Sequence, residues 1–244
     1  MQTIFKSYRR SYPGENIVTN RTHSGGIWAD TVEWVPNSVT NNQISNRAVI
    51  IGNGLSREAL DINRLKKPMG LLGALTVQTY GCNALYRDFT PDFLVAKGDD
   101  VIKEIANSGY TDNNIVYTSA IHLLEYPNKF YLIPNDPYTD AGTTAAYLAC
   151  FDGHQKVYMI GMEGQDTPGF NYNLYAGTNG YDPVKATVSD HKWVADKRVL
   201  FDTYTEVDFV LVTMYASENP PELWKYANNF RHINWNQFAV EVDL

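Results

Sequence analysis

From residue 47 onward, short apolar runs alternate with longer amphipathic stretches. The runs Ala48–Ile51, Leu75–Thr79, Phe93–Val95, Ile115–Thr118, Phe130–Ile133, Val157–Ile160 and Phe209–Thr213 are rich in β-prone residues. They lack strict polar alternation, which is the pattern of strands buried on both faces. Between them, Arg57–Leu65, Asp99–Ser108, Thr143–Phe151 and Asp190–Tyr204 carry helical spacing. Strands alternating with helices predict an α/β protein with a mostly parallel sheet flanked by helices. Right-handed crossovers then place a ligand at the carboxyl ends of the strands. Residues 1–46 break the pattern. They are polar, with aromatic islands at Gly26-Ile27-Trp28 and Glu33-Trp34-Val35. They read as an N-terminal extension carrying a hairpin, suited to pack on the main domain of residues 47–244 or to join copies of the chain into a homo-oligomer. A long Gly-, Asn- and Tyr-rich connection, Gly164 to Asp182, has the length of a binding loop. A short helix is expected at Glu222–Tyr226, then a last strand and tail over Phe230–Val240.

Composition narrows the partners. The chain of 244 residues is 44% hydrophobic and 19% charged, which supports a buried core. A net charge of −7 sets it against non-specific nucleic-acid binding, which needs cations to neutralise phosphates. Cys82 and Cys150 lack metal-ligand spacing and read as reduced, buried thiols. No run is long enough to span a bilayer, and the first residues have no signal-peptide core, so a cytosolic protein is expected.

The candidate chemistry gathers at predicted strand ends. Gly52-Asn53-Gly54 follows the first core strand, with Ser56 at the start of a predicted helix. Glycines there allow positive φ and close backbone approach, and a helix N-terminus suits a phosphate. Tyr80-Gly81-Cys82-Asn83 follows the next strand, so Asn83 falls at the same edge as Asn53. Paired amides suit ribose hydroxyls or a base edge, and they also suit plain turns. Lys97, Asp99 and Asp100 end the third strand on the cleft side, while Asp92 lies at its other end and reads as structural. Gly142, Thr143 and Thr144 open a small-residue helix, with Thr143 or Thr144 as its cap. Val157–Ile160 delivers Glu163 to the cleft, followed by Asp166. His191, at the start of a long helix after the loop, has the chemistry of a general base.

These pieces, in this order, resemble the bacterial family 42 sialyltransferases. Gly52-Asn53-Gly54-Leu55-Ser56 is similar to that family's GNGPS turn, and Cys82-Asn83-Ala84-Leu85-Tyr86 to its CNQFY segment. Ala141-Gly142-Thr143 is similar to its TSG turn, Val157–Glu163 to its strand ending in GID, and His191 is placed like its catalytic histidine. Leu55 stands where the family has proline, and Glu163 where it has aspartate. The resemblance implies a Rossmann-like nucleotide-sugar site. A CMP-sugar would lie against Gly52, Asn53, Gly54, Ser56 and Asn83. Gly142, Thr143 and Thr144 would close the nucleotide side, with Tyr172 or Tyr175 toward the phosphate. His191 and Glu163 would act on the acceptor, with no metal or other cofactor. The same opening resembles 6-hydroxymethylpterin diphosphokinases, which imply ATP and Mg²⁺, with Glu163, Asp166, Asp99 or Asp100 as oxygen ligands. Asn171–Tyr181 resembles phage-encoded relatives of the fold, which leaves a non-catalytic module as a third class.

Overall fold

A computed structural model of the chain describes residues 2–12, 15–36, 45–66, 77–134, 136–162, 173–183, 190–215 and 220–244. The N-terminal strands β1 (Gln2–Tyr12), β2 (Glu15–Ser24) and β3 (Ile27–Pro36) form an antiparallel sheet of their own. The single hairpin expected there is thus a three-stranded meander. Its β2–β3 turn is Gly25-Gly26, at φ +57° and +78°, the two positive values that a two-residue primed turn requires.

The second sheet contains β4 (Arg47–Ile51), β5 (Gln78–Cys82), β6 (Phe93–Val95), β7 (Ile115–Thr118), β8 (Tyr131–Leu132), β9 (Lys156–Ile160), β10 (Asp208–Thr213) and β11 (Phe230–Asn234). Their spatial order is β11-β10-β9-β4-β5-β6-β7-β8, and every pair is parallel. The chain winds outward from β4 through β8, then returns to β9 on the other side of β4. The winding therefore reverses between β4 and β9, the point where open α/β sheets take their ligands.

Period-2 alternation divides the strand residues between two cores. Val49, Ile51, Leu94, Val116, Ile160 and Val210 face one side, with helices α1 (Asp99–Ser108) and α6 (Trp235–Glu241). Ala48, Ile50, Tyr80, Val95, Met159 and Leu211 face the other, against α3 (Ala141–Phe151), α4 (Asp190–Thr203) and α5 (Glu222–Lys225). The short α2 (Ala120–Glu125) lies between β7 and β8. This is an α/β fold with a Rossmann-like parallel sheet, as the alternation predicts.

Four local expectations are corrected. Arg57–Leu65 is two five-residue 3-10 turns, Leu55–Ala59 and Ile62–Lys66, separated by extended Leu60. Leu60 and Leu65 are both buried. Five residues apart, they would stand about 140° apart on one α-helix, so a single helix cannot turn both into the core. The second core strand is Gln78–Cys82 rather than Leu75–Thr79, and residues 75 and 76 lie outside the described residues. Phe230–Val240 splits into β11 and α6, whose start is a capping box of Asn234 and Gln237. Helix α3 begins two residues earlier than expected. Its cap is Asp140, whose Oδ1 accepts from the Thr143 N–H at 3.0 Å, so neither threonine is the cap.

Candidate functional site

The register sets the two asparagines side by side. Ile51 pairs with Gly81, so Asn53, two residues on, is level with Asn83. Asn53 Nδ2 donates to the Cys82 carbonyl at 3.2 Å. Asn83 sits at φ +46°, a left-handed conformation that asparagine tolerates better than most residues, and its Oδ1 accepts from the Lys97 N–H at 2.9 Å.

The glycine turn works differently from its sequence reading. Neither Gly52 nor Gly54 uses positive φ, and Gly54 is extended at φ −67°, ψ 150°. The residues that follow directly, Leu55–Ala59, form a 3-10 turn rather than an α-helix, so no α-helix N-terminus is presented to a phosphate there. Backbone pairing continues past the strand ends instead. Gly52 N–H donates to the Ile160 carbonyl at 2.8 Å, and Gly54 N–H to the Gly161 carbonyl at 2.9 Å. A Cβ on Gly52 would stand 2.3 Å from the Gly161 oxygen and 2.6 Å from Met162 Cγ. Gly52 is therefore a close-packing requirement of the β4–β9 junction. Ser56 is half-buried on the following turn.

Residues 173–183 lie across this edge. Leu174 N–H donates to the Asn53 carbonyl at 2.8 Å, and Gly54 bridges to Asn173. The Tyr181 hydroxyl accepts from Asn53 Nδ2 at 3.2 Å and from the Ala84 N–H at 3.3 Å. The Tyr175 hydroxyl donates to Asp88 Oδ1 at 2.6 Å and accepts from Arg57 Nη2 at 3.0 Å. Burial pushes Tyr181 up to about 12, so its ring stays neutral. A second set of bonds fastens the loop's far end. Arg87 donates to Thr178 Oγ1 at 2.7 Å and to the Asn179 carbonyl at 2.9 Å, while Asn179 Nδ2 donates to Glu104 at 2.6 Å. Bonds from Arg87 hold the Glu104 carboxyl down to about 2 against its partial burial. A depressed carboxyl stabilises the docked loop above the ordinary 4.5, and the contribution is lost as pH falls toward 2. Glu104→Gln should speed amide exchange across residues 174–181 about tenfold at pH 7, the loss of roughly one charge-assisted bond. Exchange unchanged from wild type would show that this ion pair does not hold the loop.

Beneath the edge, two lysines meet the start of α3. Lys97 Nζ donates to Asp136 Oδ1 at 2.7 Å, the Thr139 carbonyl at 2.8 Å and Thr144 Oγ1 at 3.1 Å. Lys197 of α4 is fully buried. Its Nζ donates to Thr143 Oγ1 at 2.9 Å, stands 3.8 Å from Asp140 Oδ2, and lies 3.3 Å from the Trp193 ring centroid. Desolvation pulls it down to about 8, with Asp140, Cys82 and Asp196 acting in the opposite direction. The unfolded lysine keeps its proton to about 10.5. Between these values the unfolded chain binds more protons, so stability rises with pH. Two buried thiols work the other way: burial lifts Cys82 to about 12 and raises Cys150. The difference between wild type and Lys197→Met removes their contribution. From pH 7 to 8.5 wild type should gain about 1 kcal/mol, or about 3 °C in Tm, relative to the variant. Parallel Tm curves would mean that the folded lysine titrates at its ordinary value.

The expected site residues therefore divide. Gly52, Asn53, Gly54 and Asn83 meet at one edge. Gly142, Thr143 and Thr144 lie buried below it. The hydroxyls of the two threonines are engaged by Lys197 and Lys97, and a Cβ on Gly142 would meet Asp140 Oδ1 at 3.1 Å and Met162 Cε at 3.3 Å. His191 is exposed on the first turn of α4. Glu163, Asp166 and Tyr172 lie outside the described residues. Asp92 takes the structural part read for it, accepting from the Thr79 N–H at 2.7 Å and Thr79 Oγ1 at 2.8 Å. Both cysteines are free and buried. Among the described residues, no three His, Cys, Asp or Glu side chains are grouped to hold a metal ion, and no helix is long and apolar enough to cross a membrane.

Sequence reasoning missed Lys197, Arg57 and Asp140. One signal was readable: Trp193, Lys197, Leu200 and Phe201 fall at i, i+4, i+7 and i+8, which puts the lysine on the buried stripe of α4.

The fold and this edge define an α/β protein with a candidate ligand site where its sheet reverses. No family model and no curated protein sequence matches the chain. Among solved structures it is similar to the monofunctional alpha-2,3-sialyltransferase Cst-I from Campylobacter jejuni, at 14% identity and a TM-score of 0.42, over 70% of this chain and 76% of that one. A score that low leaves the fold to be argued from the sheet itself.

Proposed function

We propose that the protein transfers a sugar from a nucleotide-sugar of the CMP-sugar type to an acceptor hydroxyl. The observation that carries this reading is the pair Asn53 and Asn83, level on adjacent strands beside the reversal of the sheet and covered by residues 173–183. Two amides at this spacing suit a ligand rich in hydroxyl and phosphate oxygens. The resemblance of both segments to sialyltransferase motifs supports the same assignment.

In this reading the nucleotide lies against Gly52, Asn53, Gly54 and Ser56, with Asn83 toward the ribose or the sugar. The acceptor oxygen attacks the anomeric carbon, a new C–O bond forms, and the bond to the nucleotide phosphate breaks. His191 takes the acceptor proton, and Glu163, next after Met162, orients the acceptor hydroxyl. Gly142, Thr143 and Thr144 serve the nucleotide side from below, by fixing α3 against the strand ends. The reaction itself is the test: the purified chain should release CMP from a CMP-sugar when offered hydroxyl acceptors, and should leave a UDP-sugar intact. A chain that turns over neither, yet binds neither nucleotide, is a non-catalytic member of the fold.

A further inference from the structure

Two unused polar groups lie under the loop. Arg57 is 3% exposed and Asn53 7% exposed. Among the described residues, Arg57 Nη1 has no hydrogen-bond partner, and neither has Asn53 Oδ1. Among the described residues, the guanidinium's bonds both come from Nη2, which donates to Asp88 Oδ2 at 3.2 Å and to the Tyr175 hydroxyl at 3.0 Å. Asp88 is 53% exposed and shares its charge with solvent. A buried cation whose one carboxylate contact among the described residues is long and solvated is under-compensated by them, and an unfilled buried donor adds to the imbalance. The two residues are four apart in the chain and share a roof. Tyr175 lies over Arg57, with its ring centroid 5.6 Å from Cζ, and the Tyr181 hydroxyl lies on Asn53. The two tyrosine rings are 5.8 Å apart.

The geometry points to an oxyanion site here. Arg57 Nη1 takes a phosphate or carboxylate oxygen of a ligand, and Asn53 Oδ1 accepts from a hydroxyl or amino group on the same molecule. A guanidinium nitrogen suits such groups because it keeps its charge and donates charge-assisted hydrogen bonds to oxyanions. Arg57 thus supplies the positive charge that the absent helix N-terminus does not. The site goes beyond the transferase reading and does not require it. Asp88 competes with the ligand for the guanidinium, so removing its charge should tighten binding.

Sodium phosphate, titrated at constant ionic strength into the full chain and followed by calorimetry and melting temperature, tests this. Wild type should bind and be stabilised, Arg57→Met should bind at least tenfold more weakly, and Asp88→Asn about tenfold more tightly. Sodium acetate in parallel distinguishes a carboxylate from a phosphate site. Phosphate binding equal in wild type and Arg57→Met overturns the proposal, as does no response to either anion in wild type. If Arg57→Met fails to fold, Asp88→Asn decides: unchanged or weaker binding overturns the site. CMP and cytidine separate the two readings. Phosphate binding that depends on Arg57, without CMP binding, keeps the site and removes the transferase reading. CMP binding undiminished in Arg57→Met keeps the transferase reading and removes the site.

Discussion

Gly52→Ala is expected to destabilise the protein by about 3 kcal/mol or more, lowering Tm by about 10 °C or preventing folding. The added methyl would stand 2.3 Å from the Gly161 oxygen and 2.9 Å from the Gly161 carbonyl carbon, and both are backbone atoms. Gly161 itself is at φ +63°, and its oxygen accepts from the Gly54 N–H. The junction cannot open without breaking the pairing that runs from Ile160 to Gly54. Gly98→Ala is the matched control, because a Cβ there meets only Val101 Cγ2, at 4.0 Å. Urea or thermal unfolding of the two variants checks the claim. Equal stability would show that the β4–β9 junction is not close-packed in solution.

His191→Ala should lower the turnover number for sugar transfer by about 10²–10³-fold, the contribution of a positioned general base. Its ring is exposed on the first turn of α4 and takes no part in either core, so folding should change by less than about 0.5 kcal/mol. Nucleotide binding should be unaffected, because the residues assigned to the nucleotide lie at the ends of β4 and β5, on the turn after β4 and at the start of α3, and His191 is none of them. The separation of turnover from binding is the decisive readout. Full turnover in the variant removes the base assignment. Loss of turnover together with nucleotide affinity assigns His191 to binding instead.

The strands were legible because Ala48–Ile51 and its counterparts are short apolar runs, rich in β-prone residues and alternating with helical stretches, which suits a parallel sheet covered on both faces. Helix α1 was legible to the residue: Gly98 precedes it, Asp99 and Asp100 open it, and Gly109 ends it at φ +76°. Arg57–Leu65 misled because charged and apolar residues alternate there at a nearly helical period, and the tertiary demand to bury both leucines decides otherwise. Asn234 and Gln237 spell a capping box that a strand reading of Phe230–Val240 passed over. The edge formed by Asn53 and Asn83 was legible because each follows an apolar run directly, so even a misplaced β5 boundary left Asn83 at the strand end. Of the polar groups below and above it, only the burial of Lys197 was legible, from its place on the apolar stripe of α4; the partners were not. Arg57 meets Tyr175 across 118 residues, and Lys197 meets Thr143 across 54. Such pairings follow from the packing of α3, α4 and the loop, which no local pattern encodes.

The proposed transfer requires the edge formed by β4 and β5 to hold a nucleotide. The most direct measurement is the melting temperature of the chain, and of its Asn53→Ala variant, with CMP, a CMP-sugar, a UDP-sugar, and ATP with and without Mg²⁺. A ligand present at a hundred times its Kd stabilises the folded state by about 2.7 kcal/mol, a shift of several degrees. CMP species should shift wild type without metal, and Asn53→Ala should lose most of the shift. Stabilisation by ATP with Mg²⁺ alone, a CMP shift undiminished in Asn53→Ala, or no shift with any ligand would rule out a CMP-sugar at this edge.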